Sequence, residues 1–124
     1  MRMIKAEGAP EAIGPYAQAI EVNGVVYCSG QLPISPASGK IEADGVAEQA
    51  LQALLNLRAV LEAAGASLQS VVKTTVFLTD IGDFPVVNTI YAEMFAGHTP
   101  ARSTVQVARL PKGAKIEIEA VAVK

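Results

Sequence analysis

The sequence predicts an α+β domain: a mixed sheet with two helices packed on one face, in the order β-β-α-β-α-β-β. Three observations carry this reading. Hairpin-like segments stand at both ends of the chain, two helical stripes lie between them, and 124 residues leave room for one core rather than two. The single domain is expected to span residues 1–124.

The elements follow in order. From Ala17 to Ser29 the run AQAIEVNGVVYCS has two β-rich halves joined at Asn23-Gly24, a strong two-residue hairpin signal. Leu32 to Asp44 reads as a surface loop, punctuated by Pro33, Pro36 and Gly39. Between Val46 and Ala64, apolar residues at Val46, Ala50, Leu54, Leu57 and Leu61 recur at helical spacing, and Gly65 is placed to end the helix. Ser67 to Leu78 is β-branched and reads as a strand returning across the sheet. Phe84 to Phe95 carries a second helical stripe through Val87, Ile90, Tyr91 and Met94, stopped by Gly97 and Pro100. Two closing strands, Ser103 to Leu110 and Lys115 to Val123, flank Pro111-Lys112-Gly113-Ala114 and are expected to form a hairpin.

Composition narrows the function. A 51% hydrophobic content and a mean hydropathy of +0.34 are high for a small chain that must cover a large relative surface with polar groups. Two helices cover one sheet face only. Val25, Tyr27, Val76, Val105, Val107, Ile116 and Ile118 are too apolar for a solvated face, so the surplus reads as subunit interface in a closed assembly. Ten Lys and Arg against twelve Asp and Glu give a net charge of −2, with the basic residues scattered, so nucleic acid is not an expected partner. One Cys (Cys28) and one His (His98) exclude a disulfide, a Cys/His zinc site and a Cys-His catalytic pair within one chain. Cys28 reads as a small buried hydrophobe and His98 as a solvated loop residue. Neither an apolar leader nor a membrane-spanning run is present, and the expected location is the cytosol.

The run PARSTVQVARLPKGAKIEIEAVAV, together with AIGPYAQAI, SGQLP, VVKTTVFL and the Asp83 to Asn88 stretch, resembles the RidA/YjgF reactive-intermediate deaminase family over nearly the whole chain. The resemblance implies a homotrimer of chorismate-mutase-like protomers with clefts at the subunit boundaries and neither metal nor organic cofactor. It also implies an activity: hydrolysis of reactive 2-imino acids, tautomers of 2-aminoacrylate and 2-aminocrotonate, to 2-oxo acids and ammonia, which pre-empts damage to pyridoxal-phosphate enzymes.

The same resemblance selects residues whose chemistry suits that reaction. Arg102 carries a guanidinium fork that can hold the substrate carboxylate bidentately. Glu117 and Glu119 share one strand face by the period of two. The motif places Glu117 in the functional position, where a carboxylate can deprotonate the attacking water and return the proton to the departing amine. Glu119 reads as an interface ion-pair partner. Tyr16, after Gly14-Pro15, corresponds to a tyrosine of the pocket wall. Ser29 and Gly30 correspond to ligand contacts at a strand end, Gly30 allowing close backbone approach. Asn88 corresponds to a pocket-lining residue of the second helix. Thr104 stands where many relatives carry Cys; its main chain can still bind substrate, while its side chain removes any thiol chemistry there. The alternatives are a 2-oxo acid binding or regulatory member without turnover, an endoribonuclease or translation inhibitor, and a holdase-like chaperone.

Overall fold

The computed structural model describes all 124 residues, and its chain begins with a strand absent from the sequence reading. This strand, β1 (Arg2–Ile4), pairs antiparallel with β2 (Ala19–Val22). Three residues, of which only Ile4 is buried, are too few to show a period of two. The predicted hairpin follows. β2 pairs antiparallel with β3 (Val25–Gln31), Val22 opposite Val25. Asn23 and Gly24 both take positive φ, 51° and 78°, the conformation that a two-residue turn matching strand twist requires.

Helix α1 (Val46–Ala63) buries Ala50, Ala53, Leu54, Leu57, Val60 and Leu61 on one face, extending the predicted stripe. The preceding loop is less superficial than expected, because Pro33 and Ile34 are buried. Asn56, almost wholly buried in α1, donates to the Leu32 and Ile34 carbonyls at 3.0 and 2.9 Å and accepts from Gln52 at 2.9 Å. Asn56→Ala leaves two carbonyls without donors and a small cavity. It is expected to destabilise the fold by about 2–4 kcal/mol, seen as a lower urea midpoint at unchanged m.

A single 3₁₀ turn at Leu68–Ser70 precedes β4 (Val71–Leu78), so the predicted strand loses its first residues to a capping turn in which Ser67 and Ser70 bond reciprocally. Helix α2 (Phe84–Phe95) then leads to β5 (Ala101–Gln106), and β6 (Ile116–Val123) ends the fold. The predicted closing hairpin does not form. The sheet order is β1-β2-β3-β6-β4-β5, with β4 and β5 parallel and β6 inserted antiparallel between β3 and β4. Two physical reasons account for this. The connection through α2 returns the chain to the same edge in the same direction, as a strand-helix-strand crossover requires. β6 also buries Ile116, Ile118, Ala120 and Ala122, which suits a central strand, whereas the polar β5, with no buried residue, suits an edge.

The sheet therefore has two distinct faces. Val26, Val76, Leu78, Ile116 and Ile118 join Leu54, Leu57, Leu61 and Phe95 in the core beneath the helices. Val76, Ile116 and Ile118 thus belong to the core rather than to the open face assigned from sequence. On the open face Tyr27, Val105 and Val123 are substantially exposed.

Candidate active site

The predicted site residues fall into two groups, one on each side of the sheet. Parallel pairing sets Arg102 opposite Thr74 and Thr104 opposite Val76. Thr74 and Val76 are fully buried beneath the helices, so Arg102 and Thr104 face the helical side. There the Arg102 guanidinium lies over two rings of α2, 5.1 Å from the centroid of Phe84 and 4.8 Å from that of Tyr91, within the range of a cation–π contact. Asn88 stands between these two aromatic positions on the same helical stripe, at i+4 from Phe84 and i+3 before Tyr91. Arg102 forms no ion pair: the protomer's ion pairs gather at Glu21, with Arg2 and Lys124. Its N–H donors are therefore free for an incoming anion. Close by, the Thr104 hydroxyl is buried without any hydrogen-bond partner.

The second group lies around β3 and β6. Glu117 pairs in register with Phe77, and by alternation it projects to the open face, as does Glu119. β3 carries an extra residue between Cys28, opposite Ala120, and Gln31, opposite Ile118, a bulge that re-aims the strand at Ser29-Gly30. The Glu117 carboxylate occupies the space that a Cβ on residue 30 would take: such an atom would stand 2.8 Å from the Glu117 carboxyl carbon. A side chain at residue 30 would displace the Glu117 carboxylate, so glycine keeps this close approach open. Burial, and then the neighbouring Glu119 charge, hold the Glu117 carboxyl above the ordinary range for glutamate. A carboxyl raised by burial beside a second carboxylate is chemically suited to proton transfer.

Tyr16 and Gly30 line one shallow depression of about 40 Å³, together with Pro10, Gln18 and Leu32. Tyr16 is exposed, and its hydroxyl accepts from the Ile13 N–H at 3.4 Å. The Ser29 hydroxyl donates to the Ala17 carbonyl at 2.6 Å, so it holds the strand end in place while its neighbour Gly30 approaches Glu117. A groove of about 670 Å³ lies elsewhere, along Arg109, Lys112 and Lys115, and contains none of the predicted site residues.

Two negative readings can also be placed. Cys28 is buried, and desolvation pushes its thiol up to about 12, which leaves almost no thiolate at neutral pH. His98 is not simply solvated: its Nε2 donates to the Val71 carbonyl at 2.6 Å, pinning the loop before β5. No cluster of three His, Cys, Asp or Glu is arranged to hold a metal. The sequence reading places Tyr91 on the helical stripe and Phe84 only at the helix start, with no site role for either. Their spacing of seven puts them on one helical face, but only the tertiary fold brings Arg102 across both rings.

Arg102 and Glu117 thus project from opposite faces of one sheet.

The chain is similar to known proteins over nearly its whole length. The family described as Endoribonuclease L-PSP matches residues 6–124. The human protein named 2-iminobutanoate/2-iminopropanoate deaminase is 53% identical over 123 residues, covering 99% of this chain and 90% of that protein. Among solved structures, the YjgF gene product of E. coli superposes with a TM-score of 0.95 at 50% identity, covering 100% of this chain and 99% of that one. E. coli TdcF with bound serine does so with a TM-score of 0.95 at 46% identity, again covering 100% and 99%. A match of this depth along nearly the whole chain makes the protein a member of the RidA/YjgF family, the endoribonuclease L-PSP family.

Proposed function

We propose that this protein is a cofactor-free hydrolase of 2-imino acids, releasing 2-oxo acids and ammonia, and that its site is completed between copies in a homotrimer of chorismate-mutase-like protomers. The observation that carries the reading is the separation just described: an unpaired guanidinium on the helical face, and on the open face a carboxyl raised by burial beside Gly30. One copy supplies Arg102, with Asn88 and the main chain at Thr104. Its neighbour supplies Glu117 and Gly30, with Tyr16 on the wall and Ser29 fixing the strand end. The exposed Tyr27, Val105 and Val123 give the open face the apolar character of a surface between subunits. Support for the substrate comes from the deaminase name of the human relative and from the serine held by TdcF, since an α-amino acid presents the carboxylate and α-nitrogen of a 2-imino acid.

In this reading the imino acid carboxylate docks on the Arg102 fork, which fixes the C=N carbon in a short range of positions. Glu117, as carboxylate, takes a proton from a water that attacks that carbon. The resulting carbinolamine has one new C–O bond. Glu117, now a carboxylic acid, returns that proton to the nitrogen, giving a neutral carbinolamine; it then takes the carbinolamine hydroxyl proton and passes it to the same nitrogen, so that the C–N bond breaks, ammonia leaves and the hydroxyl oxygen becomes the carbonyl of the 2-oxo acid. Action in the cytosol and without nucleic acid completes the reading. A net charge of −2 and 5% aromatic residues offer RNA little to bind.

The test generates the imine in situ with an amino-acid oxidase or a serine/threonine dehydratase and traps it with semicarbazide. Wild type is expected to divert imine from the trap. Binding of 2-oxo acids without that diversion would overturn turnover in favour of a ligand-binding role. Co-expression of Arg102→Ala with Glu117→Ala is expected to recover part of the activity that each variant lacks alone, because mixed trimers contain some sites with both native residues. No recovery would place both residues in one protomer's site.

A further inference from the structure

We infer that Tyr91 is a positioning residue for the reaction: held by Thr74, its ring and that of Phe84 form the surface on which the Arg102 fork is laid ready for a carboxylate. The inference rests on the proposed role of Arg102 as anchor. Three links form a closed frame. The β4–β5 register sets Thr74 beside Arg102. The Thr74 hydroxyl shares a buried hydrogen bond of 2.7 Å with the Tyr91 hydroxyl. The Tyr91 ring centroid lies 4.8 Å from the Arg102 guanidinium carbon. Tyr91 is itself packed against Phe95, with ring centroids 4.5 Å apart, and both Tyr91 and Thr74 are buried. The frame is therefore anchored at every corner except the guanidinium.

An arginine on an edge strand normally keeps its head solvated and samples many rotamers. An ion pair would order it but would consume the donors a substrate needs. Two ring faces order the plane while leaving its in-plane N–H groups unused, because a cation–π contact engages the flat surface of the guanidinium rather than its edge. The Tyr91 hydroxyl is kept protonated, since burial outweighs the opposing effects of Thr74 and Arg102, so the bond to Thr74 persists across neutral pH. A pre-ordered fork loses less side-chain freedom when substrate binds. Removing the rings should therefore appear in binding and leave the chemical step alone.

Steady-state kinetics on 2-iminobutanoate would compare wild type with Tyr91→Leu, Tyr91→Phe, Phe84→Leu and Arg102→Ala, each checked for folding by circular dichroism. Tyr91→Leu is expected to raise KM roughly tenfold with kcat within about twofold. Tyr91→Phe, which keeps the ring, should restore KM to within about threefold of wild type. Inhibition by 2-oxobutanoate should weaken in parallel with KM, while the uncharged 2-oxobutanamide should bind all five proteins alike, an outcome that general loosening of the core would not produce. If Tyr91→Leu does not fold, Phe84→Leu, at the half-buried start of α2, carries the same prediction with a smaller rise. Wild-type KM in folded Tyr91→Leu or, where that variant does not fold, in Phe84→Leu overturns the inference. So does a loss confined to kcat. Wild-type kinetics in Arg102→Ala would instead overturn the anchor itself.

Discussion

Arg102→Ala is expected to lower kcat/KM for 2-imino acid hydrolysis by roughly 10²–10³-fold while the protein stays folded. A bidentate, charge-assisted contact to a carboxylate is worth about 3–4 kcal/mol, and each 1.36 kcal/mol is a factor of about ten in rate. Structural damage should be small. The guanidinium makes no ion pair and touches the protomer through two aromatic rings, so the folding cost is about 0.5–1 kcal/mol. A melting temperature within a few degrees of wild type, beside a collapse in imine diversion, separates anchoring from folding. Arg102→Lys is expected to recover only part of the loss, since an ammonium restores the charge but not the fork. Equal activity in wild type and Arg102→Ala would remove this residue from the site.

What could be read from the sequence, and what could not, divides along physical lines. Local signals held: Asn23-Gly24 makes the two-residue turn, and the stripes of Val46–Ala63 and Phe84–Phe95 bury most of the residues that their spacing selects, with Val46, Ile90 and Met94 half-buried at the edge of the core. Pairing between distant segments did not. The last two strands are adjacent in sequence but separated by β4 in the sheet, because strand partners are chosen by core burial and by the handed return through α2, neither of which is written in a local window. β1 escaped notice because three residues give no period. The site shows the same division. Period two correctly put Glu117 and Glu119 on one face, opposite Ile116 and Ile118. The placement of Arg102 over Phe84 and Tyr91, the fit of Gly30 against Glu117 and the orphaned hydroxyl of Thr104 all depend on tertiary register. Asn88, by contrast, could be placed on its helix from the stripe alone, and the structure adds only that the stripe faces Arg102.

Glu117→Gln is expected to lower kcat by roughly 10²–10⁴-fold, the contribution of a positioned general acid–base group, with KM little changed because the anchor is untouched. The amide keeps the shape that fills the space beside Gly30 but can neither accept the proton of water nor return it to nitrogen. Stability should move the other way. Burial and the Glu119 charge raise the folded-state pKa of Glu117 above its unfolded value; between those two values the folded protein binds more protons than the unfolded chain, so this group's contribution to stability falls as pH rises. Removing the charge at neutral pH therefore relieves the fold, and Glu117→Gln should melt no lower than wild type, a pattern of lost activity with retained stability that a structural carboxylate would not give. The same shift sets the pH profile. Acting as a base, Glu117 must be ionised, so kcat should fall on the acid side through an apparent pKa higher than that of an ordinary glutamate. Glu119→Gln takes away the second cause of the shift while leaving burial in place, and the acid limb should move to lower pH with the maximum rate preserved. An acid limb unmoved by Glu119→Gln, or one that persists in the residual activity of Glu117→Gln, would assign the titration to another group and leave Glu117 without a role in proton transfer.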